Sequence, residues 1–532
     1  MGKLFNTMSS KGTVAFNHSG YQYPHPVNCA IEIRKYIGQQ LTLSTVVESN
    51  PHYNLLEKSM KLRLITLLCL VLLFQPAFTA FSDSGNISGK VDGFLEEQFS
   101  RVRSPGMALA VVDHEGFVYS RGFGQARSSS LFYTASLSKS VTATAVLLLV
   151  QDGLLDLDTP VQSYLPEFTA ADPELSADIT VRHLLNQTSG LSDAGYRASS
   201  NPGPSSLEEI AADLGSARFA SIPGETFHYF NANYQLLGLL VEKVSGDSFE
   251  GYIKEHIFEP LGMSSSCYTD RLDVLKGYNL MFGVPVHLME TRRPWSPSGG
   301  VISTAEDMAR LVQMYLNKGR PLLEADLAEL ALTPPLYAET DDHLHGYGMG
   351  WYTAEYNSIH YLTHGGDINS FHGDMALLPD AGFGIVILYN SNNLIANFTG
   401  YPAVMNGLVS ILSGEQAQSS AVSMRLVGLV ILFWLLWTLY SGIRKLTRVK
   451  TWAAEAVQWR FLRRFVALGT SLLPALVLIF LPQLVLLVSG RSASHILLFS
   501  YLPDVLVLLS AAAVLSILHF ACRLRALSMI RN

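Results

Sequence analysis

Ser136-Leu-Ser-Lys139, running on into Ser140-Val-Thr-Ala-Thr-Ala-Val-Leu-Leu-Leu-Val150, is the stretch that decides the fold. The apolar run reads as a buried helix that stops at Asp152-Gly153. Residues three apart share a helix face, so the spacing sets the Lys139 amine beside the Ser136 hydroxyl. A serine hydroxyl is a weak nucleophile until a neighbouring base takes its proton. A buried lysine suits that task, because desolvation lowers its pKa.

Around this helix the chain alternates helical and strand patterns from about residue 86 to 409. Ile87 to Val102 predicts an amphipathic helix. Met107 to Val112 and Gly116 to Ser120 predict two strands joined by the turn Asp113-His-Glu-Gly116. Short helices are expected from Val181 to Leu185, Tyr234 to Val244 and Ala305 to Leu316. The last follows a capping-box pattern, Ser303-Thr-Ala-Glu306. Ile359 to Leu362, Asp374 to Leu378 and Phe383 to Tyr389 predict closing strands. Strands near both ends of the region fit one antiparallel sheet covered by helices, with a further helical region, an α+β arrangement.

The 532 residues carry a formal charge of −7 and no basic stripe with interleaved aromatics, which argues against nucleic acid as a partner. Four cysteines, Cys29, Cys69, Cys267 and Cys522, supply no disulfide framework. His343, His345 and His372 find no cysteine or carboxylate at metal-ligand spacing, so neither metal nor cofactor is implied. Met60-Lys-Leu-Arg63, followed by the apolar run Leu64 to Phe74, reads as a signal peptide over 60–80 or as an N-terminal membrane segment. Residues 1–59 then form an extension, with Met60 the expected initiator.

After a polar linker over 410–423, apolar runs over 426–443, 465–490 and 496–521 are each long enough to cross a bilayer. The first connection holds Arg444, Lys445, Arg448, Lys450, Arg460, Arg463 and Arg464, and Arg523, Arg525 and Arg531 end the chain. Lysine and arginine excess marks the cytoplasmic side. The expected topology is multi-pass, with the large domain outside the cytoplasm and the C-terminus inside. Asp504, at the outer end of the third run, reads as an acid snorkelling to the interface.

Three further segments accompany Ser136 and Lys139. They are Leu184-Leu-Asn-Gln-Thr-Ser-Gly-Leu191, Tyr229-Phe-Asn231 and His364-Gly-Gly366. With Gly299-Gly-Val-Ile-Ser-Thr-Ala-Glu-Asp307 and Phe383-Gly-Ile-Val-Ile-Leu-Tyr-Asn390, they resemble the serine β-lactamase and penicillin-binding protein family. The likeness is to its class C-like, peptidase S12 branch. With the C-terminal helices, it is similar to membrane-anchored members such as staphylococcal Flp-type proteins and colibactin-type prodrug peptidases. The resemblance implies a β-lactamase/DD-peptidase-like domain in which Ser136 carries an acyl group and Lys139 is its base. Tyr229 would relay a proton, and Asn231 would bind the substrate amide. His364 would face a substrate carboxylate with a partial, pH-dependent charge. The Ser136 and Asp367 N–H groups would form an oxyanion hole, with Gly366 allowing close approach. Bulky Phe230 would narrow the cleft. The implied substrate is a small peptide containing D-amino acids, peptidoglycan among them, or a β-lactam-like amide. A β-lactamase, an esterase and a non-catalytic penicillin sensor remain open on the same fold.

Overall fold

The computed structural model describes residues 87–531, apart from 195, 197–205, 270, 272, 289–295, 336–343, 419 and 490–492. The expected extension over 1–59 and the segment over 60–80 lie outside these residues. Helix α1 (Ile87–Val102) leads into a hairpin of β1 (Gly106–Val112) and β2 (Phe117–Gly124). Short strands follow: β3 (Phe132–Tyr133), β4 (Tyr278–Met281), β5 (Val284–Val286) and β6 (Ile302–Ser303). The chain then lays down β7 (Leu344–Tyr347), β8 (Tyr352–Tyr356), β9 (Ile359–Ile368), β10 (Phe371–Leu378), β11 (Phe383–Tyr389) and β12 (Ser391–Asn392).

β1 pairs antiparallel with β11, which closes the two ends of the domain into one seven-stranded sheet, ordered β2-β1-β11-β10-β9-β8-β7. Alternation along β1 divides its side chains between two cores. Met107, Leu109 and Val111 join α1 and the later helix Tyr401–Leu412 on one face. Ala108, Ala110 and Val112 join the larger core on the other, with helices α2 (Ser138–Gln151), α3 (Asn231–Ser245) and α4 (Ala305–Leu316). Every β1 residue is buried, the pattern of a central strand covered on both faces. The helix Tyr401–Leu412 is α5.

Several expectations are corrected. Thr304, rather than Ser303, caps α4, its side chain accepting from the Asp307 N–H. Phe230 is buried against Tyr196, so its ring packs inward rather than narrowing a cleft. The linker is shorter than 410–423: α5 continues to Leu412 with Ser410 buried, and the Ala421 N–H donates to Gln98 Oε1 on α1 at 2.7 Å. Ala421 and Met424 are both part of the second core.

The C-terminal region holds three helices long and apolar enough to cross a bilayer: α6 (Met424–Thr447), α7 (Phe461–Ile479) and α8 (Pro503–Ile530). The second apolar run is divided, because Leu481–Ser489 forms a helix of its own with Pro482 in its first turn. The third also starts later than residue 496. His495–Tyr501 is a separate short helix, and Pro503, which has no N–H to continue it, opens α8. Asp504 does not snorkel: it is buried and accepts from its neighbour Val505 at 2.9 Å and from the Phe282 N–H at 3.3 Å.

Candidate active site

Ser136 lies in a 3₁₀ turn (Ala135–Leu137) just ahead of α2. Ala135 takes φ of 50°, the left-handed region a non-glycine residue avoids. Such strain is tolerated where the surroundings fix it, and it accompanies functional turns. One helical turn later Lys139 is fully buried. Its Nζ lies 3.1 Å from Ser136 Oγ, 2.8 Å from Asn231 Oδ1 and 2.8 Å from the Ser298 carbonyl. The Tyr229 hydroxyl donates to Ser136 Oγ at 2.9 Å, and Lys139 Nζ sits 4.9 Å from the centre of the Tyr229 ring.

Two segments set Tyr229 and Asn231. Gln187, also in the left-handed region at φ 59°, accepts with Oε1 from the Phe230 N–H at 3.0 Å and from Asn233 Nδ2 at 2.7 Å. Ser189 Oγ donates to Asn233 Oδ1 at 2.8 Å. The Gln187–Ser189 turn thus clamps the start of α3, which puts Tyr229 one residue before the helix cap and Asn231 at its first position.

β9 closes the other side. A Cβ on Gly366 would overlap the Thr134 carbonyl and lie 3.1 Å from the Ser136 N atom, so the strand backbone runs against the serine turn. β8 pairs with β9 only from Ile359 to Thr363, whereas β10 pairs from Leu362 to Ile368. The edge from His364 to Ile368 thus has no β8 partner among the described residues.

His364 is placed at the site, but not as a cation. It is buried, and burial followed by the nearby Lys139 charge pushes its pKa down to about 3. Its Nδ1 lies 2.7 Å from the Gly365 carbonyl and its Nε2 3.4 Å from the Tyr347 hydroxyl. A neutral imidazole with the proton on Nδ1 donates to the Gly365 carbonyl. The expected partial charge near neutrality is overturned by the depth of the ring.

Asp367 belongs to a different layer. Its side chain is on the sheet face opposite Gly366, where Oδ1 accepts from His372 Nδ1 at 2.8 Å and Asn397 Nδ2 at 2.7 Å. His372 Nε2 meets Asp374 Oδ2 at 2.8 Å, and its ring stacks on Tyr401 at 4.0 Å. Only the backbone of Asp367 can serve Ser136.

Sequence reasoning missed Tyr347 and Tyr352, whose rings pack against His364, and Phe227, which packs on both tyrosines. It also missed the Ser298 carbonyl. Tyr347 and Tyr352 sit in Gly346-Tyr-Gly-Met-Gly-Trp-Tyr352, where closely spaced glycines hide the strand alternation. Aromatics held between glycines were the available signal.

A serine held jointly by a lysine amine and a tyrosine hydroxyl, beside an open strand edge, defines a protein of the serine penicillin-recognising class. Residues 91–404 match the family model described as Beta-lactamase, and the chain belongs to that family. It is 27% identical over 432 residues to Protein flp of Staphylococcus aureus strain MW2, covering 75% of this chain and 83% of that protein. It is 30% identical over 339 residues to Penicillin-binding protein 4 of Amycolatopsis lactamdurans, covering 57% and 86%. Among solved structures, the octameric penicillin-binding protein homologue of Pyrococcus abyssi superposes with a TM-score of 0.53 at 27% identity, covering 63% and 79%. D-amino acid amidase of Ochrobactrum anthropi SV3 shares the fold, with a TM-score of 0.53 at 21% identity over 62% and 99%.

Proposed function

We propose that the protein is a membrane-anchored serine hydrolase that acts outside the cytoplasm, through an acyl-enzyme, on peptides containing D-amino acids or on related amides. The observation that carries this reading is the double contact on Ser136 Oγ, from Lys139 Nζ at 3.1 Å and Tyr229 OH at 2.9 Å. The carbonyls of Asn231 and Ser298 take two N–H groups of Lys139. In a neutral amine the remaining position is a lone pair aimed at Ser136, the geometry of a general base. Ser136 Oγ then bonds to the substrate carbonyl carbon as its proton passes to Lys139. The Ser136 and Asp367 N–H groups stabilise the oxyanion, a contribution of roughly 3–4 kcal/mol per donor in other enzymes. Tyr229 passes a proton to the leaving amine, and water later releases the acyl group. The substrate backbone lies along the open edge of β9, as an added strand.

The neutral His364 favours a substrate without a carboxylate at that position, such as an amide or an internal peptide bond. The amidase among the fold neighbours is compatible with this preference. The bundle supports the topology: the hydrolase touches the N-terminal end of α6, while the helix Val449–Ala456 packs against Ala526 at the far end of α8, among the basic residues.

The test is full-length protein in detergent, with a Ser136→Ala control, incubated with a fluorescent penicillin, D-Ala-D-Ala peptide and a D-amino acid amide. Intact mass and released product are followed together. A Ser136-dependent adduct with amide or peptide turnover is expected. Rapid release of hydrolysed drug would reassign the protein as a β-lactamase, and a stable adduct without any turnover would reassign it as a sensor.

A further inference from the structure

The outer domain and the C-terminal helices meet at the β4–β5 hairpin, and that hairpin is bonded to the end of β9. Asn279 on β4 is buried, and its Nδ2 donates both to the Ser500 carbonyl, at 2.5 Å, and to the Asn369 carbonyl. Ser500 belongs to the short helix before α8, and Asn369 directly follows β9. Beside it, Asn392 on β12 is the register partner of Asn279 and donates to the Ile368 carbonyl at 2.5 Å and to Asp367 Oδ1 at 3.2 Å. Two amides thus hold three consecutive residues at the end of the strand, from Asp367 to Asn369.

The hairpin tip is wedged into the helices. A Cβ on Gly428 of α6 would overlap the Phe282 backbone and the Gly283 N atom. Gly283, at φ +73°, lies so close that its own Cβ would stand 2.7 Å from the Met424 carbonyl. Asp504, opening α8, accepts from the Phe282 N–H. These contacts leave the hairpin no room to shift without moving the helices.

We infer that the C-terminal helices set the position of the oxyanion strand, and that Asn279 is the positioning residue that transmits it. The catalytic part of this inference rests on the hydrolase reading above, since the held residues begin at Asp367, whose backbone N–H that reading assigns to the oxyanion. The helices then form part of the active-site scaffold as well as the anchor.

Hydrogen exchange and penicillin acylation of full-length protein in nanodiscs test this. The variants are Asn279→Ala and Gly428→Leu, the latter remote from Ser136. Gly469→Leu, whose added carbon meets nothing, is the control. Exchange in the segment 364–371 is expected to rise about tenfold in both variants, the scale of one lost hydrogen bond. Exchange in α2 and in the control stays at the wild-type rate. The maximal acylation rate is expected to fall about tenfold with the half-saturating drug concentration unchanged, a split that general loosening would not give. Wild-type exchange in 364–371 for both variants would overturn the inference. Absence of any Ser136 adduct in the wild type would refute the hydrolase reading instead, and exchange would still decide the coupling.

Discussion

Two histidines on neighbouring strands are driven to opposite charge states by their surroundings. His364, sunk beneath Tyr347 and near Lys139, stays neutral with a pKa of about 3. Its folded pKa lies below the unfolded value of about 6.5, so its contribution is intact above that pH and is lost as pH falls towards 3. The melting temperature of His364→Asn should therefore gain on the wild type through that window. The acid limb of Ser136 acylation should keep its midpoint in this variant; a displaced midpoint would show that His364 titrates during catalysis. His372 goes the other way. Burial opposes its charge, but the carboxylates of Asp374 and Asp367 outweigh burial and raise its pKa to about 10. Tyr389 and Tyr401, the other titratable groups against the ring, are held neutral by burial. A raised pKa stabilises fully below about 6.5 and progressively less up to 10. Thermal melts of His372→Gln and wild type should show the largest gap at pH 6 and a shrinking one towards pH 10. A gap independent of pH would mean the ring acts through stacking alone.

At the scale of elements, the approach of β9 to the serine turn depends on Gly366. Alanine there would press on the Thr134 carbonyl and the Ser136 N atom, whereas a Cβ on Gly365 would meet only Asp374 Oδ1 at 3.1 Å. Overpacking of this kind costs roughly 1–3 kcal/mol. Gly366→Ala should lose acylation rate by about tenfold or more, and Gly365→Ala much less; equal losses would remove the close approach as the cause. The same elements show what the sequence could reveal. α1, α2, α4, β1 and β11 carry long apolar patterns of one period, and their limits came within a residue or two. β7 went unseen because its end runs into Gly346-Tyr-Gly-Met-Gly-Trp351, where repeated glycine leaves no alternation to read. That Ser136, Lys139, Tyr229 and Asn231 come together was legible from their motifs. The charge of His364 was not legible, since it depends on Tyr347 and Lys139 arriving from distant segments.

For the whole molecule, the distribution of charge and the docking of the β-lactamase-like domain bear on the same question of topology. Met424, at the start of α6, is buried in the core of the β-lactamase-like domain, and Asp504, at the start of α8, meets the β4–β5 hairpin. Both helices therefore point away from the β-lactamase-like domain towards Arg444 and Lys445 on one and Arg523 and Arg525 on the other. Arg523 lies 4.2 Å over the Trp452 ring, in the helix that follows α6, so the basic residues gather at one end of the bundle. Lysine and arginine near helix ends resist translocation. Cys522 stands among them, exposed, whereas Ser120 is exposed on β2 of the β-lactamase-like domain. Intact cells treated with a membrane-impermeant maleimide should label Ser120→Cys at once, and Cys522 only after permeabilisation, as mapped by peptide mass. Labelling of Cys522 in intact cells would place the basic end outside and reverse the proposed topology. Equal labelling of both sites before permeabilisation would instead break the argument that the helices cross the bilayer from the β-lactamase-like domain to the basic end.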